Sequence, residues 1–164
     1  MTVEYHIYNG SRQRLKNSKA TEKIKNIISV LSVSSVAKKR KKIMADELTE
    51  KIIAAAIEVH KKLGPGLLES IYEEALCYEF ELRLIEYKRQ FPADVIYKGK
   101  IIKGQKIDLI VQDEIVVELK SLSKTPEVAL AQTISYLKAA NLKRGLIINF
   151  GMQRLVDGIK RVSL

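Results

Sequence analysis

Residues 106–120 read Lys-Ile-Asp-Leu-Ile-Val-Gln-Asp-Glu-Ile-Val-Val-Glu-Leu-Lys, and the fold turns on how this stretch pairs with itself. Two runs rich in β-branched residues, Lys106–Val111 and Ile115–Lys120, flank Gln112-Asp113-Glu114, the pattern of a β-hairpin. A three-residue loop pairs Val111 with Ile115, Leu109 with Val117 and Ile107 with Leu119, an unbroken apolar face. A two-residue loop would set Leu109 against Glu118 and Asp108 against Leu119, mixing both faces. Because a slip of one residue turns every side chain to the opposite face, burial selects the first register. That register predicts Asp108 directly opposite Glu118, with Cβ atoms roughly 4.5–5.5 Å apart. Lys120 follows two residues on, along the same face.

Two carboxylates facing each other on a half-buried sheet repel unless something positive lies between them. One reading is a solvated face on which Lys106 and Lys120 screen the acids. Ile110 and Val116 share that face, however, so it is not simply wet. The other reading is a hard divalent cation, which takes oxygen ligands and resolves the repulsion. Such an ion acidifies water and stabilises charge on a phosphoryl group, and a lysine beside it can hold developing negative charge.

Outward from the hairpin, the N-terminal side reads as helical. From Asp46 to Leu63, apolar residues recur at Ile52, Ile53, Ala56, Ile57 and Val59, and Gly64-Pro65-Gly66 stops the helix. A second helix is expected over about 67–84, with Leu68, Ile71, Ala75, Leu76 and Phe80 as its core stripe. β-rich sequence follows: Ala93–Tyr97, a Lys98-Gly99-Lys100 turn, Ile101–Ile102 and then the hairpin. On the C-terminal side, Thr125-Pro126 predicts a third helix, with threonine as cap and proline at the first position. Its core stripe is Leu130, Ile134 and Leu137; Gln132 and Tyr136, four apart, are neighbours on its flank. Lys143–Phe150 and Gln153–Val162 complete the β content. The order α-α-β-β-β-α-β-β makes an α/β domain, and no GxGxxG or P-loop pattern follows any strand.

At 46% hydrophobic and 29% charged residues, the chain is globular, which excludes collagen-like, mucin-like and wholly disordered classes. It has no run of ~18 apolar residues, which argues against a membrane, and Met1–Gly10 carries no signal-peptide pattern. A cytoplasmic location is the default expectation. Cys77, the single cysteine, excludes an internal disulfide. The formal charge of +10 is unevenly spread. Residues 1–43 hold 11 Lys/Arg against Glu4 and Glu22, a net of +9, so 44–164 carry only +1. The chain is therefore read as a basic leader over 1–43 and a folded domain over 44–164. The leader, with Lys38-Lys39-Arg40-Lys41-Lys42, reads as a phosphate-gripping arm, a disordered segment, or sequence upstream of a start at Met44.

Asp108, a gap, then Glu118-Leu119-Lys120 resembles the D-x(n)-E-x-K core of the PD-(D/E)XK nuclease superfamily. The α-β-β-β-α-β order of residues 67–150 is similar to that superfamily's restriction-endonuclease-like core, here with an extra N-terminal helix and the leader. Gly66-Leu-Leu-Glu69-Ser-Ile-Tyr72 resembles the motif that names the GxxExxY proteins, and Gln132-Thr-Ile-Ser-Tyr136 looks like the QxxxY motif of RecB-type nucleases. Ile107 departs from the pattern by standing where a proline is frequent. The resemblance implies a Mg2+-dependent nuclease, with Mn2+ as an alternative, acting on nucleic acid, DNA foremost. It implies Asp108, Glu118 and Glu69 as metal ligands with the Leu119 carbonyl, Lys120 as the assisting cation, and Gln132, Tyr136 and Tyr72 as support. His60, bordering the first helix's apolar face, is a minor metal candidate by the same resemblance. The alternatives are a non-catalytic nucleic-acid- or protein-binding module on this fold, or an accessory subunit that relies on a protein partner.

Overall fold

The computed structural model describes Glu22 and residues 47–164. The remainder of the leader, with its lysine run and the proposed boundary at Met44, lies outside the described residues. Helix α1 covers 47–63 and α2 covers Glu69–Leu82. Strands β1 (Tyr87–Pro92), β2 (Val95–Tyr97), β3 (Lys100–Ile102), β4 (Lys106–Val111) and β5 (Ile115–Lys120) follow. Helix α3 (Val128–Ala139), β6 (Arg144–Asn149), a 3-10 turn (Leu155–Gly158) and β7 (Ile159–Ser163) close the chain. The main sheet has the order β1-β4-β5-β6-β7, antiparallel except for the parallel β5–β6 pair that α3 connects. Strands β2 and β3 form a separate two-stranded hairpin inserted between β1 and β4. Without that insertion the order from α2 to β6 is α-β-β-β-α-β. Among the described residues no helix is long and apolar enough to cross a membrane.

Alternation in β5 and β6 divides the core into two layers. Val117, Leu119, Leu146 and Ile148 join the α1 and α2 side chains Ile52, Ala56, Leu76 and Phe80. Val116 and Ile147 join Ala129, Tyr136 and Leu137 from α3 on the opposite face. α3 comes very close to β6: a Cβ on Gly145 would sit 2.9 Å from Thr133 Cγ2, so only glycine fits there.

Four expectations are corrected. The first core strand is Tyr87–Pro92, not Ala93–Tyr97; its charged Lys88-Arg89 and terminal Pro92 suit a sheet edge and mask its strand character. In α2, Leu68 and Ile71 are exposed, while Tyr72, Leu76, Cys77 and Phe80 are buried. Leu76 and Phe80 are buried as expected, while at the start of the helix Tyr72 is buried in place of its neighbour Ile71, its ring stacked on Phe150. Thr125 does not cap α3, which starts at Val128; its hydroxyl instead accepts from Asn149 Nδ2 at 3.1 Å. The α3 face is turned too: Leu130 is exposed, and Tyr136, Thr133 and Ala129 face the sheet.

Candidate functional site

Asp108 stands where β4 releases both neighbours. On one side the ladder pairs Arg89 with Leu109 and Phe91 with Ile107 but skips Gln90, whose φ of +51° bends β1 away. On the other side the β4–β5 register runs as the hairpin pattern predicts, Val111 with Ile115 and Leu109 with Val117, and then stops. The predicted direct opposition of Asp108 and Glu118 is therefore not a ladder pair. Asp108 Oδ2 instead accepts the Leu119 N–H at 2.8 Å. The predicted Ile107–Leu119 pair is also absent, since Ile107 is buried in the α3-side layer and Leu119 in the helix α1–α2 layer. The Leu119 amide gives the Asp108 carboxylate a fixed donor, which works against the burial that raises it, while its charge still bears on Glu118.

Glu118 is only 2% exposed, at the centre of the sheet. Its Oε1 accepts from Lys120 Nζ at 2.5 Å, while its Oε2 is buried without a hydrogen-bond partner. Burial, and then the Asp108 charge, push its carboxyl up to about 7 despite the lysine. Burial likewise raises Asp108, opposed by the Leu119 amide and Lys120, and raises Glu69, opposed by Lys120. Burial works to lower Lys120, but the Glu118 bond and the three carboxylates outweigh it, so its pKa is raised and it stays an ammonium. Lys120 Nζ is also 4.0 Å from Glu69 Oε1, at the first turn of α2. The lysine thus links acids from a strand and a helix.

Gln132 and Tyr136 join this group from α3. Gln132 Nε2 donates to Tyr136 OH at 2.7 Å, and Tyr136 is buried. Burial raises the phenol's pKa, Gln132 opposes this, and the Glu118 and Asp108 charges add to it. Tyr136 therefore remains a protonated donor within electrostatic reach of both acids.

Tyr72 and His60 have other partners. Gly64 and Gly66 take φ of +68° and +106° in the α1–α2 turn, a conformation that favours glycine. Tyr72 OH donates to Gly64 O at 2.6 Å and accepts from Leu67 N at 3.2 Å, tying down the segment that carries Glu69. Its ring stacks on Phe150 at 4.5 Å. His60 Nε2 donates to Met152 O at 2.9 Å and its ring also stacks on Phe150. Cys77 is buried, which pushes its thiol up to about 11, an inert form.

Two supporting groups escape sequence reasoning. Asn149 is fully buried; it accepts from Leu122 N at 2.9 Å and Gly151 N at 3.1 Å, and donates to Leu122 O at 2.9 Å. It therefore fixes the loop that follows Lys120. Glu73, one turn after Glu69, is held by Arg89 and by Gln90 Nε2 at 2.9 Å, joining α2 to the bent segment of β1. Asn149 closes an apolar run, where a buried amide leaves no periodic signal, and Arg89 lies on the strand whose charges hide it.

Among the described residues no ready-made group of three or more His, Cys, Asp or Glu gathers as a metal cage. The donor chemistry nevertheless fits a hard cation. A buried carboxylate with an orphaned oxygen and a half-buried one are held partly in check by a single ammonium, and a third acid lies across that ammonium. Leu119 presents its carbonyl on the same strand edge as its N–H, beside Asp108.

Comparison with known proteins is consistent with this geometry. The PD-(D/E)XK nuclease superfamily model matches residues 46–162. No curated protein and no solved structure matches the chain. The matched segment runs from the start of α1 into β7 and includes Glu69, Asp108, Glu118, Lys120, Gln132 and Tyr136. The chain belongs to the PD-(D/E)XK nuclease superfamily.

Proposed function

We propose that this protein is a Mg2+-dependent nuclease that hydrolyses phosphodiester bonds in DNA. The observation that carries the reading is the buried, partnerless Glu118 Oε2 beside Asp108 and Lys120. Asp108, Glu118, Glu69 and the Leu119 carbonyl would hold a hard divalent cation, Mg2+ or Mn2+. When bound, that ion supplies positive charge to a phosphoryl group and a water of lowered pKa. Lys120, kept as an ammonium, holds negative charge that develops on the phosphate and orients the attacking water. Tyr136, oriented by Gln132, donates its O–H towards the same site. Tyr72 supports it indirectly through the Gly64–Leu67 turn. The likeness of Gly66-x-x-Glu69-x-x-Tyr72 to the GxxExxY proteins and of Gln132-x-x-x-Tyr136 to RecB-type nucleases belongs to this reading. So does the division into a basic leader over 1–43 and a catalytic domain over 44–164.

The test is a titration of Mg2+ and Mn2+ against supercoiled, linear and single-stranded DNA, with Asp108→Asn in parallel. Cation-dependent cleavage by the wild type and none by the variant is the expected result. Absence of cleavage on all three substrates, with no cation-induced rise in melting temperature, overturns the nuclease reading.

A further inference from the structure

The β2–β3 hairpin stands apart from the main sheet, and all six of its strand residues are exposed. Its turn, Lys98-Gly99, has positive φ at both residues, +49° and +83°, the tight form that matches strand twist. Register places Val95, Tyr97, Lys100 and Ile102 on one face and Ile96 and Ile101 on the other. Ile96 is 74% and Ile101 58% exposed, so this face is apolar and open. An isolated two-stranded ribbon is marginally stable in water, and exposed apolar residues on both of its faces call for a partner.

Charge identifies that partner. From Val95 to Lys106 the chain carries Lys98, Lys100, Lys103 and Lys106 and no acid. The rest of 44–164 is by the same count slightly acidic, with 14 Lys/Arg against 17 Asp/Glu, so the domain's net positive excess lies on this one arm. Lys98 Nζ lies 5.6 Å from the centre of the Tyr97 ring, so cation and aromatic surface are presented together. The arm's base is closed by the Ala93 N–H to Gln105 O bond of 3.0 Å and the Pro92–Lys106 pair, and Asp108 lies two residues beyond. Eight residue steps separate Lys98 from Lys106, a reach of at most about 26 Å, or about seven base pairs of duplex. A two-stranded ribbon also fits the major groove, about 12 Å wide.

We infer that the β2–β3 hairpin is a nucleic-acid arm that grips duplex substrate, its lysines on phosphates and Ile96 and Ile101 against the groove. The inference rests on the nuclease reading for its biological sense but not for its measurement. The full chain in EDTA, where cleavage does not occur, is titrated against a fluorescent 20-base-pair DNA duplex at 50–200 mM salt. Replacing Lys98, Lys100, Lys103 and Lys106 by Gln should reduce the slope of log affinity against log salt by about 3–4, since each phosphate contact contributes about 0.9. The leader's contribution is common to both proteins and cancels. Ile96→Asn with Ile101→Asn should weaken binding and leave the salt slope unchanged. Both variants should melt as the wild type does, because every substituted side chain is exposed. An unchanged slope in the lysine variant overturns the inference. So does equal loss on a single strand of the same length, or an isoleucine variant that alters oligomeric state instead of DNA affinity. Cleavage assayed separately in Mg2+ tells failure of the arm from failure of the active site.

Discussion

Glu118→Gln isolates the cost of holding a charge in this site. The Glu118 carboxyl is raised from 4.5 to about 7, first by burial and then by Asp108. A carboxyl whose folded-state pKa is raised binds its proton more tightly in the native protein than in the unfolded chain. Its contribution is therefore favourable below pH 4.5 and is lost as pH rises through 7. The interval from 4.5 to about 7, at about 1.4 kcal/mol per unit, gives about 3–4 kcal/mol. For a domain of about 120 residues that is a fall in Tm of about 12–16 °C. Glutamine keeps the shape and cannot ionise, so the difference between wild type and variant should change by this amount between pH 4.5 and 8. Thermal melts of the metal-free proteins across that range provide the measurement. A divalent cation binds the ionised form, so Mg2+ should raise the wild-type Tm more at pH 8 than at pH 5 and leave Glu118→Gln unmoved. Parallel pH profiles for the two metal-free proteins would refute the claim that Glu118 is a strained buried carboxylate.

Lys120→Met removes the ammonium bonded to Glu118 and should cost about 1.5–3 kcal/mol at pH 8, where Glu118 is ionised, and little at pH 4.5; equal loss at both values would show that the lysine acts by packing alone. In Mg2+ the same variant should cleave about 100-fold more slowly while retaining the cation-induced stabilisation, as when a transition-state charge stabiliser is lost. Gly66→Ala meets open space but must hold a φ of +106°, so backbone strain alone should lower stability by about 1–3 kcal/mol, read from denaturant midpoints. Asn149→Ala orphans the Leu122 N–H and carbonyl and the Gly151 N–H, and should cost about 3 kcal/mol; a loss below 1 kcal/mol would mean that water replaces the amide.

The hairpin 106–120 was legible because alternation has one solution: a slip of one residue would set Leu109 against Glu118 and mix apolar and acidic side chains on both faces. Helix α1 was legible for a similar reason, since its apolar period admits one buried face. The residues of the site were legible as types at a spacing, Asp108 with Glu118 and Lys120. Periodicity could not place the start of the α2 stripe, because Leu68 and Ile71 lead into Ala75 and Leu76 at helical spacing as well as Tyr72 leads into Leu76 and Phe80. It also missed β1, where edge charges and Pro92 replace alternation.

Local pattern therefore determined that β4 pairs with β5, that Leu109, Val111, Ile115 and Val117 share a face, and which acids lie on that pair, because each depends on neighbours a few residues away. The tertiary structure decided how those acids meet. Strand pairing alone would place Asp108 squarely opposite Glu118. The bend at Gln90 and the bond to the Leu119 amide divert Asp108 from that position. Lys120, Glu69 on α2 and Tyr136 on α3 set the charge around Glu118, and they reach it from different elements of the sequence. Burial of a carboxylate is a property of everything packed around it, which no stretch of sequence contains by itself.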